Sequence, residues 1–538
     1  MVTLEAKSWE GFEHGRTNSS QHAGPHQVKV RGSSNNCQWS ALPRVIPWSE
    51  GPQNGFIPEG LLRFHRLDQD LFTLDQREWE HHLPTWTTIT DDIDLILHLL
   101  TLYFCWEYPI FAPFSKKHFL QDFREGRHRY CSPLLVNALL ALGCRFSTNL
   151  ITGASSENLK SAGDHFFEES QRLFNRERDH HSLTTIQALV IMSIRETSCG
   201  RSSVGQYYAG QSVRLVLEMG LHRTHNEGDR DGFSVQSATF WGAFSMDNAY
   251  SLVLGLLPNC SRFLHLPSKP PFIRDIEASL WVPYTDDGAL LEQYKQPSNE
   301  QSVYKCSCEL GELIQKTLHL LYSPGQNLTT QNLMSIYIEY LCWYDNMPKA
   351  LRVGHNFTPA LLFTHIYYHF AILLLFQHFV TLPIIGSEIS PRDICLQAAN
   401  AIQGFLTIYS RLYTLKWAPS FMPYFALASS LMHLALMAQM AQINNLDTPA
   451  RTDPHLSEAV NQGIARLIEM RPCHQVAEQA LQLLCYLARK WNVDLNIEIG
   501  AALDPEAYER LVRSFGGIIN FLSPTMVTHD YFSDLFTG

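Results

Sequence analysis

His365 and His369 are the two side chains whose spacing best suits a metal site. Residues four apart lie on one face of a helix, and zinc peptidases place two of their ligands in this way. Ile366 stands where such enzymes carry a glutamate, however, and no third ligand can be identified. The sequence therefore favours a polar seam between packed helices over a bound metal.

The twelve cysteines include no pair of the Cys-x-x-Cys type. Structural zinc sites use such close ligands because the sulfur atoms must converge on one ion. The nearest pair is Cys306 and Cys308, and most of the others lie in apolar runs, where a free thiol behaves as a small core residue. The first residues lack the apolar stretch of a secretory signal, so we expect a reducing compartment.

The sequence contains no glycine-rich phosphate loop of either common type. The nucleophile motif Gly-x-Ser-x-Gly is also absent, since Gly210-Gln211-Ser212 lacks the closing glycine and lies in a helical run. We predict that Ser212 packs inside the protein. No catalytic, cofactor-binding or metal-binding residues are predicted, so the sequence indicates a protein that is not an enzyme and needs no cofactor.

Residues 116–129 (KKHFLQDFREGRHR) form the most basic segment, with five basic residues against two acidic ones. Phe119 and Phe123 lie between the charges, so the segment could contact phosphate groups. An amphipathic turn that docks both rings and leaves its charges in water accounts for the same pattern. The second interpretation is favoured.

Residues 529–536 (HDYFSDLF) combine acidic side chains with bulky apolar ones, which is typical of activation segments that bind a partner groove. A chain end that packs its aromatic rings on the body of the protein is the alternative. The candidate activation residues are Asp530, Tyr531, Phe532, Asp534, Leu535 and Phe536.

The composition sets the scale of the scaffold that must position these residues. The chain has 538 residues, of which 45% are hydrophobic and only 17% charged, so it can bury a large core and is not mainly disordered. Its formal net charge of −11 repels nucleic acid, and DNA contact would need a local basic patch.

Apolar residues recur at intervals of three and four from about residue 90 onward, which predicts helices. We expect an all-α protein, a large multi-helix bundle with a flexible arm at 1–55, a connecting segment at 56–90, a helical domain at 91–495, and a C-terminal helix with the acidic-aromatic tail at 496–538. The predicted helices cover 134–146, 157–174, 184–195, 205–219, 235–254, 303–321, 332–344, 360–379, 391–413, 422–443, 457–469 and 476–491.

Residues 361–379 are long and apolar enough to cross a membrane. They include His365, His369, Gln377 and His378, which lipid would solvate poorly. We predict a buried core helix here and no membrane partner.

Three ordered motifs give the sequence its resemblance to a known family. They are residues 103–119 with 132–144, residues 208–223 ending in Gly-Leu-His-Arg, and residues 238–258, which begin Ala-Thr-Phe-Trp and end Leu-Gly-Leu-Leu-Pro. Together they resemble the fungal-specific transcription factor domain, or middle homology region, of binuclear zinc-cluster regulators. The resemblance covers about residues 90–385, extends to about 495, and is greatest to the nitrate-regulator-like branch.

The resemblance implies that the helical domain at 91–495 is regulatory and that its motif residues form a scaffold. The scaffold residues are Phe240, Trp241, Asp247, Ser251, Gly255 and Pro258. The chain departs from the family where Leu256 replaces an arginine. Residues 1–90 contain one cysteine, Cys37, so we expect no six-cysteine zinc module for reading DNA in this chain; the sequence leaves open whether an upstream exon supplies one.

The function implied is that of a nuclear transcriptional regulator that acts through protein partners, such as a DNA-binding transcription factor or a coactivator, and contacts DNA only indirectly. Its targets would belong to a secondary-metabolite or nutrient pathway. A helical domain that senses a small-molecule effector, with no direct role in transcription, is the alternative.

Overall fold

The computed structural model describes residues 85–147, 163–223, 230–263, 266–269, 277–325, 328–380, 390–443, 454–493, 495 and 505–519. In these residues the regular secondary structure is helical apart from one short two-stranded ribbon and an isolated bridge between Tyr284 and Leu290, and the predicted all-α class is confirmed. The arm at 1–55, most of the connecting segment and the acidic-aromatic tail lie outside the described residues.

The observed helices follow the apolar periodicity of the sequence. Numbered in chain order, they are α1 Ile93–Trp106, α2 Tyr108–Phe111, α3 Lys116–Glu125, α4 Pro133–Gly143, α5 Asp164–Arg176, α6 Leu183–Ser198, α7 Ser202–Glu218, α8 Arg230–Leu254, α9 Glu300–Tyr322, α10 Thr330–Asp345, α11 Pro359–Phe376, α12 Pro391–Tyr413, α13 Met422–Ile443, α14 Pro454–Met470, α15 Gln475–Lys490, α16 Pro505–Ser514 and α17 Gly516–Ile519.

Short polar side chains fix where several helices begin. Ser132 accepts a hydrogen bond from the backbone N–H of Leu135, and Pro133 follows it at the first helical position, where a missing N–H costs nothing. Asp92 accepts from Leu95 in the same way at the start of α1. These caps satisfy backbone donors that have no partner inside the helix.

The basic segment at 116–129 differs from its prediction. It forms a ten-residue helix, α3, rather than a turn, and ends at Gly126 in the left-handed region, with φ 69°. Phe119 and Phe123 are buried as expected, but Asp122 is buried as well. Its carboxylate accepts from the backbone N–H of Tyr130, so one charge of the segment serves the fold instead of facing water.

A two-stranded antiparallel ribbon lies in the connection between α8 and α9. Strand β1, Leu280–Trp281, pairs with strand β2, Gln296–Pro297. The indole N–H of Trp281 donates to the carbonyl of Cys105 at 3.2 Å, and that of Trp106 donates to Tyr284 at 2.8 Å. These bonds attach the ribbon to α1.

Helix α11 lies at the centre of the core, and all of its residues are buried. It packs against α12, α9 and α13. In the described part of the chain, Pro359–Phe379 is the one helical stretch long and apolar enough to cross a membrane, and its apolar window is entirely buried in protein. Burial on every face explains why its apolar residues show no amphipathic stripe.

Helix α17 packs against the end of α8 with almost no space between the backbones. A Cβ atom on Gly517 would lie 2.5 Å from the nitrogen of Gly255 and 2.5 Å from the carbonyl oxygen of Leu252. Ile518 and Ile519 are buried in the same contact. Glycine is therefore required at 517, and this contact holds α17 against the end of α8.

Candidate functional site

Helix α8 carries the first residues of the third family motif into the core. Phe240 is fully buried and contacts the rings of Phe244 and Phe263, at centroid distances of 5.9 and 5.2 Å. Trp241 is 1% exposed, and the ammonium of Lys269 lies 5.3 Å from its ring centre. Two aromatic residues of this size contribute a large share of local packing energy.

Asp247 satisfies backbone and side-chain donors in the loop after α8. Its carboxylate accepts from the backbone N–H of Cys260 at 2.7 Å and from the amide of Asn259 at 2.9 Å. Burial raises the pKa of the Asp247 carboxyl, and these hydrogen bonds act in the opposite direction. The residue positions the loop at 259–262 against α7 and α8.

The end of α8 turns sharply at Gly255, whose φ of 72° is unfavourable for other residues. The backbone N–H of Leu256 donates to the carbonyl of Ser251 at 2.9 Å, which closes the turn. Ser251 and Pro258 are buried, whereas Leu256 is 42% exposed. The motif therefore forms a turn that presents Leu256 to solvent.

The second family motif lies on α7 and the turn after it. Tyr208 accepts a hydrogen bond from Gln171, and Ser212 is buried and donates to the carbonyl of Ala209. The ring of His222, from the Gly-Leu-His sequence, lies 5.3 Å from the ring of Phe263. Because Phe263 also contacts the α8 aromatic residues, the second and third motifs form one packed unit.

Residues of the first motif form an aromatic cluster around Tyr103, Phe104, Tyr108 and Phe114. The hydroxyl of Tyr108 donates to the carbonyl of Phe114 at 2.9 Å and accepts from the backbone N–H of Lys116. The cluster therefore fixes the path of the chain from α2 into α3.

A buried ion pair between Glu107 and Arg145 is the feature that sequence analysis missed. The guanidinium donates to the carboxylate at 2.6 Å, and the two side chains are 1% and 6% exposed. Ser420 donates to the same carboxylate through its backbone N–H and its hydroxyl, at 3.2 and 3.0 Å. Burial raises the pKa of Glu107 and lowers that of Arg145, while the attraction between the two charges opposes both shifts.

Arg145 also binds the chain near the start of α15. Its guanidinium donates to the carbonyl of Ala418 at 3.0 Å and lies 2.8 Å from Nε2 of His474. Nε2 of His474 also lies 3.0 Å from the carbonyl oxygen of Ala418. Burial and the nearby Arg145 charge lower the pKa of His474 well below its usual value, so the ring is neutral. We call these five residues, Glu107, Arg145, Ala418, Ser420 and His474, the charge cluster.

His365 and His369 do lie on one face of α11, between other helices. Nε2 of His365 is 3.0 Å from the carbonyl oxygen of Leu351, and both rings stack on Phe405, at 5.2 and 5.9 Å. Burial lowers their pKa values to about 4 and about 3. Across the described ranges, no three His, Cys, Asp or Glu residues are grouped so that they could hold a metal ion.

Four large apolar side chains are exposed on α7 and just after α8. Val204 and Tyr207, on α7, are 39% and 56% exposed, and Leu256 and Leu257, after α8, are 42% and 37% exposed. These are four of the eight large apolar residues that are exposed in the described part of the chain. A groove of about 700 Å³ along α7 reaches Asn259.

We call Val204, Tyr207, Leu256, Leu257 and this groove the α7 surface. Exposed apolar side chains mark interaction sites in many proteins, and polar side chains such as Gln206, Gln211 and Arg214 line this groove as well. The replacement of the family's arginine by Leu256 was its one signal in the sequence. The candidate activation residues at 530–536 are not among the described residues, so the structure does not place them.

Most of the chain is similar to known proteins. Residues 100–345 match the family described as the fungal specific transcription factor domain. The chain is 32% identical over 456 residues to the nitrogen assimilation transcription factor nit-4 of Neurospora crassa. The alignment covers 81% of this chain and 40% of nit-4. The chain is 33% identical over 434 residues to the nitrogen assimilation transcription factor nirA of Emericella nidulans, with 77% and 47% covered.

A third relative is the notoamide biosynthesis transcriptional activator notL' of Aspergillus versicolor, 23% identical over 446 residues, with 78% of this chain and 68% of the relative covered. No solved structure matches the chain. The chain spans less than half the length of nit-4 and nirA. The motifs on α1, α7 and α8 all fall within the matched family region, and the chain therefore contains a fungal specific transcription factor domain at residues 100–345.

Proposed function

We propose that the protein is a transcriptional regulator that acts in the nucleus through its helical domain and protein partners. The observation that carries this proposal is the alignment with nit-4, which runs through 81% of the chain rather than through one short motif. The fold agrees with such a role, because the three motifs build a rigid scaffold and leave the α7 surface exposed.

Contact with DNA would be made through a partner that supplies the DNA-binding element. The net charge of −11 opposes direct binding to phosphates. The basic segment at 116–129 has part of its charge neutralised, since Arg127 contacts both Glu125 and Asp122. The names of nit-4, nirA and notL' suggest target genes in nitrogen use or secondary metabolism.

A fluorescence anisotropy titration of the purified chain tests the indirect route to DNA. At about 0.15 M salt we expect only weak association that further salt abolishes. Sequence-selective binding with a nanomolar midpoint would contradict the proposal that a partner supplies the DNA-binding element.

A reporter assay tests the regulatory role. The full chain, fused to an unrelated DNA-binding domain, is expected to change transcription from a promoter that carries the matching sites. Nuclear fractionation of the unfused chain is the companion measurement. An unchanged reporter with a correctly folded, nuclear fusion would exclude direct regulation and favour the small-molecule sensor.

Within this function, residues 529–538 are proposed to supply the activating contact. Their removal should lower reporter output and leave the melting temperature of the protein unchanged, because a terminal segment with few polar tethers contributes little to the core. Equal output from the shortened chain would disprove the activating role.

A further inference from the structure

The segment that joins α12 to α13, residues 414–421, is strained at its first residue. Thr414 has φ 61° and ψ 143°, in a region that is unfavourable for every residue with a Cβ atom and most of all for a β-branched one. Among the non-glycine residues of positive φ in the described ranges, it is the one that is β-branched. We call residues 414–421 the connector.

The carboxylate of Glu469, on α14, holds Thr414 in this conformation. One carboxylate oxygen accepts from the Thr414 hydroxyl at 3.0 Å and from the backbone N–H of Leu415 at 2.8 Å. The other oxygen accepts from the hydroxyl of Ser410, in the last turn of α12, at 2.7 Å. Glu469 therefore binds the end of α12 and the start of the connector together, and charge-assisted hydrogen bonds of this kind can offset the strain.

The charge cluster holds the far end of the connector, since Ala418 and Ser420 belong to both. The carbonyl of Ala418 accepts from Arg145 at 3.0 Å, and the hydroxyl of Ser420 donates to Glu107 at 3.0 Å. Ala418 and Ser420 are both fully buried. The connector is thus bound at one end by α14 and at the other end by residues that follow α1 and α4.

The two ends of the connector are too close to move independently. Four residues separate Leu415 from Ser420. Between them, the carbonyl of Trp417 accepts from the hydroxyl of Tyr409 at 3.0 Å, and the ring of Trp417 stacks on that of Trp106 at 5.0 Å. A return of the first connector residue to negative φ would redirect the backbone that follows it, so these contacts and those of the charge cluster could not all persist.

We propose that the connector has two arrangements and that Glu469 selects the one observed. In the second arrangement Thr414 has a negative φ, and Ala418 and Ser420 leave the charge cluster, so α14 is coupled to α1 and α4. The regulatory use of this device rests on the function proposed above. The Glu469 side chain is 25% exposed, with Arg466 at 3.5 Å, so a cationic side chain of a protein partner can compete for its carboxylate.

Fluorine NMR of the full chain labelled with fluorotryptophan tests for the second arrangement. Trp417 reports on the connector, and its resonance is assigned with Trp417→Phe. In Glu469→Leu we expect a second Trp417 resonance with at least about a third of the intensity. The matched control is Glu478→Leu, which removes a partly exposed pair with Arg471 on α15 and should leave one resonance. One unshifted Trp417 resonance in Glu469→Leu would overturn the proposal.

A pair of substitutions at Thr414 measures the strain. Both Thr414→Ala and Thr414→Gly remove the hydroxyl, but only alanine keeps the Cβ atom. In urea titrations the unfolding equilibrium constant should be about tenfold smaller for the glycine variant than for the alanine variant. In the Glu469→Leu background this advantage should vanish, because the relaxed connector no longer needs a positive φ. Equal stability of the two variants in the parent chain would refute the strain, and an equal advantage in both backgrounds would refute the role of Glu469.

Hydrogen exchange separates coupling from a local role of Glu469. The backbone N–H of Ser420 donates to Glu107, and the two glutamates share no hydrogen-bond donor on the connector. Its exchange should nevertheless be about tenfold faster in Glu469→Leu than in the parent chain or in Glu478→Leu. Faster exchange confined to the amide of Leu415 would reject the coupling. None of these measurements depends on transcription, so a silent reporter would defeat the function proposed above and leave the connector proposal to be decided by them.

Discussion

The substitution Arg145→Met tests the charge cluster most directly. It removes the counter-ion of Glu107, whose carboxylate then stays buried with hydrogen bonds from Ser420 alone. Breaking a buried ion pair by removing one partner costs about 3–5 kcal/mol. Unfolding a helical body of roughly 400 residues has an entropy of about 0.8 kcal/mol per degree, so the melting temperature should fall by about 4–6 °C.

Differential scanning calorimetry at pH 7 measures this change, and two further variants make the result specific. Arg214→Met removes an exposed pair with Glu218 and should cost less than about 0.5 kcal/mol. The double variant Glu107→Leu with Arg145→Met leaves no uncompensated charge and should recover most of the lost stability. A fall below about 1 °C for Arg145→Met, or additive losses in the double variant, would refute the assigned coupling.

Three further predictions follow from the packing. Trp241→Ala should lower the free energy of unfolding by about 3–5 kcal/mol, because the ring is 1% exposed, and an unchanged melting temperature would contradict a core role. Burial lowers the pKa of His369 to about 3, so its contribution to stability is complete above the unfolded value near 6.5 and is lost as the pH falls toward 3; at pH 5 about 2 kcal/mol is gone. His369→Phe should therefore flatten the stability curve between pH 6.5 and 5 in urea titrations, whereas the exposed-residue control His355→Gln should leave its slope unchanged. Gly517→Ala should destabilise the chain by more than 1 kcal/mol because its Cβ meets backbone atoms, while Gly210→Ala, with no close neighbour, should be neutral or stabilising in the same thermal melts.

Helix positions could be predicted from the sequence where apolar periodicity and a terminal signal agree. The predicted bounds of α12, 391–413, match the observed ones, because Ser390 caps the helix and Pro391 occupies its first position. Helix α3 was predicted as a turn because most of its residues are polar or charged and its apolar face consists of few residues. Local patterns describe local structure well and fail where polar residues dominate.

The candidate site was less accessible to sequence reasoning because it depends on distant residues. Glu107 meets Arg145 across 38 positions and Ser420 across 313, and no local pattern links them. The period of α7 identifies a helix but not which neighbours cover it, so the exposure of Tyr207 emerged only from the packed structure. Residues such as Trp241 and Asp247 could be selected from the family motif, whereas their partners could not.

The charge cluster has a consequence for the synthesis of the protein on the ribosome. Arg145 and His474 are 329 residues apart, and chains elongate at about 5–20 residues per second. Arg145 and Glu107 therefore leave the ribosome roughly 15–65 seconds before the last member of their cluster is made. During that interval the nascent chain cannot bury these charges in their final environment. Helices α1 and α4 therefore stay partly exposed until the last third of the chain has been synthesised. Chaperones that bind exposed apolar helices should therefore associate with this protein mainly during translation, and shortened transcripts that end before His474 should yield chains that are degraded rather than smaller folded proteins.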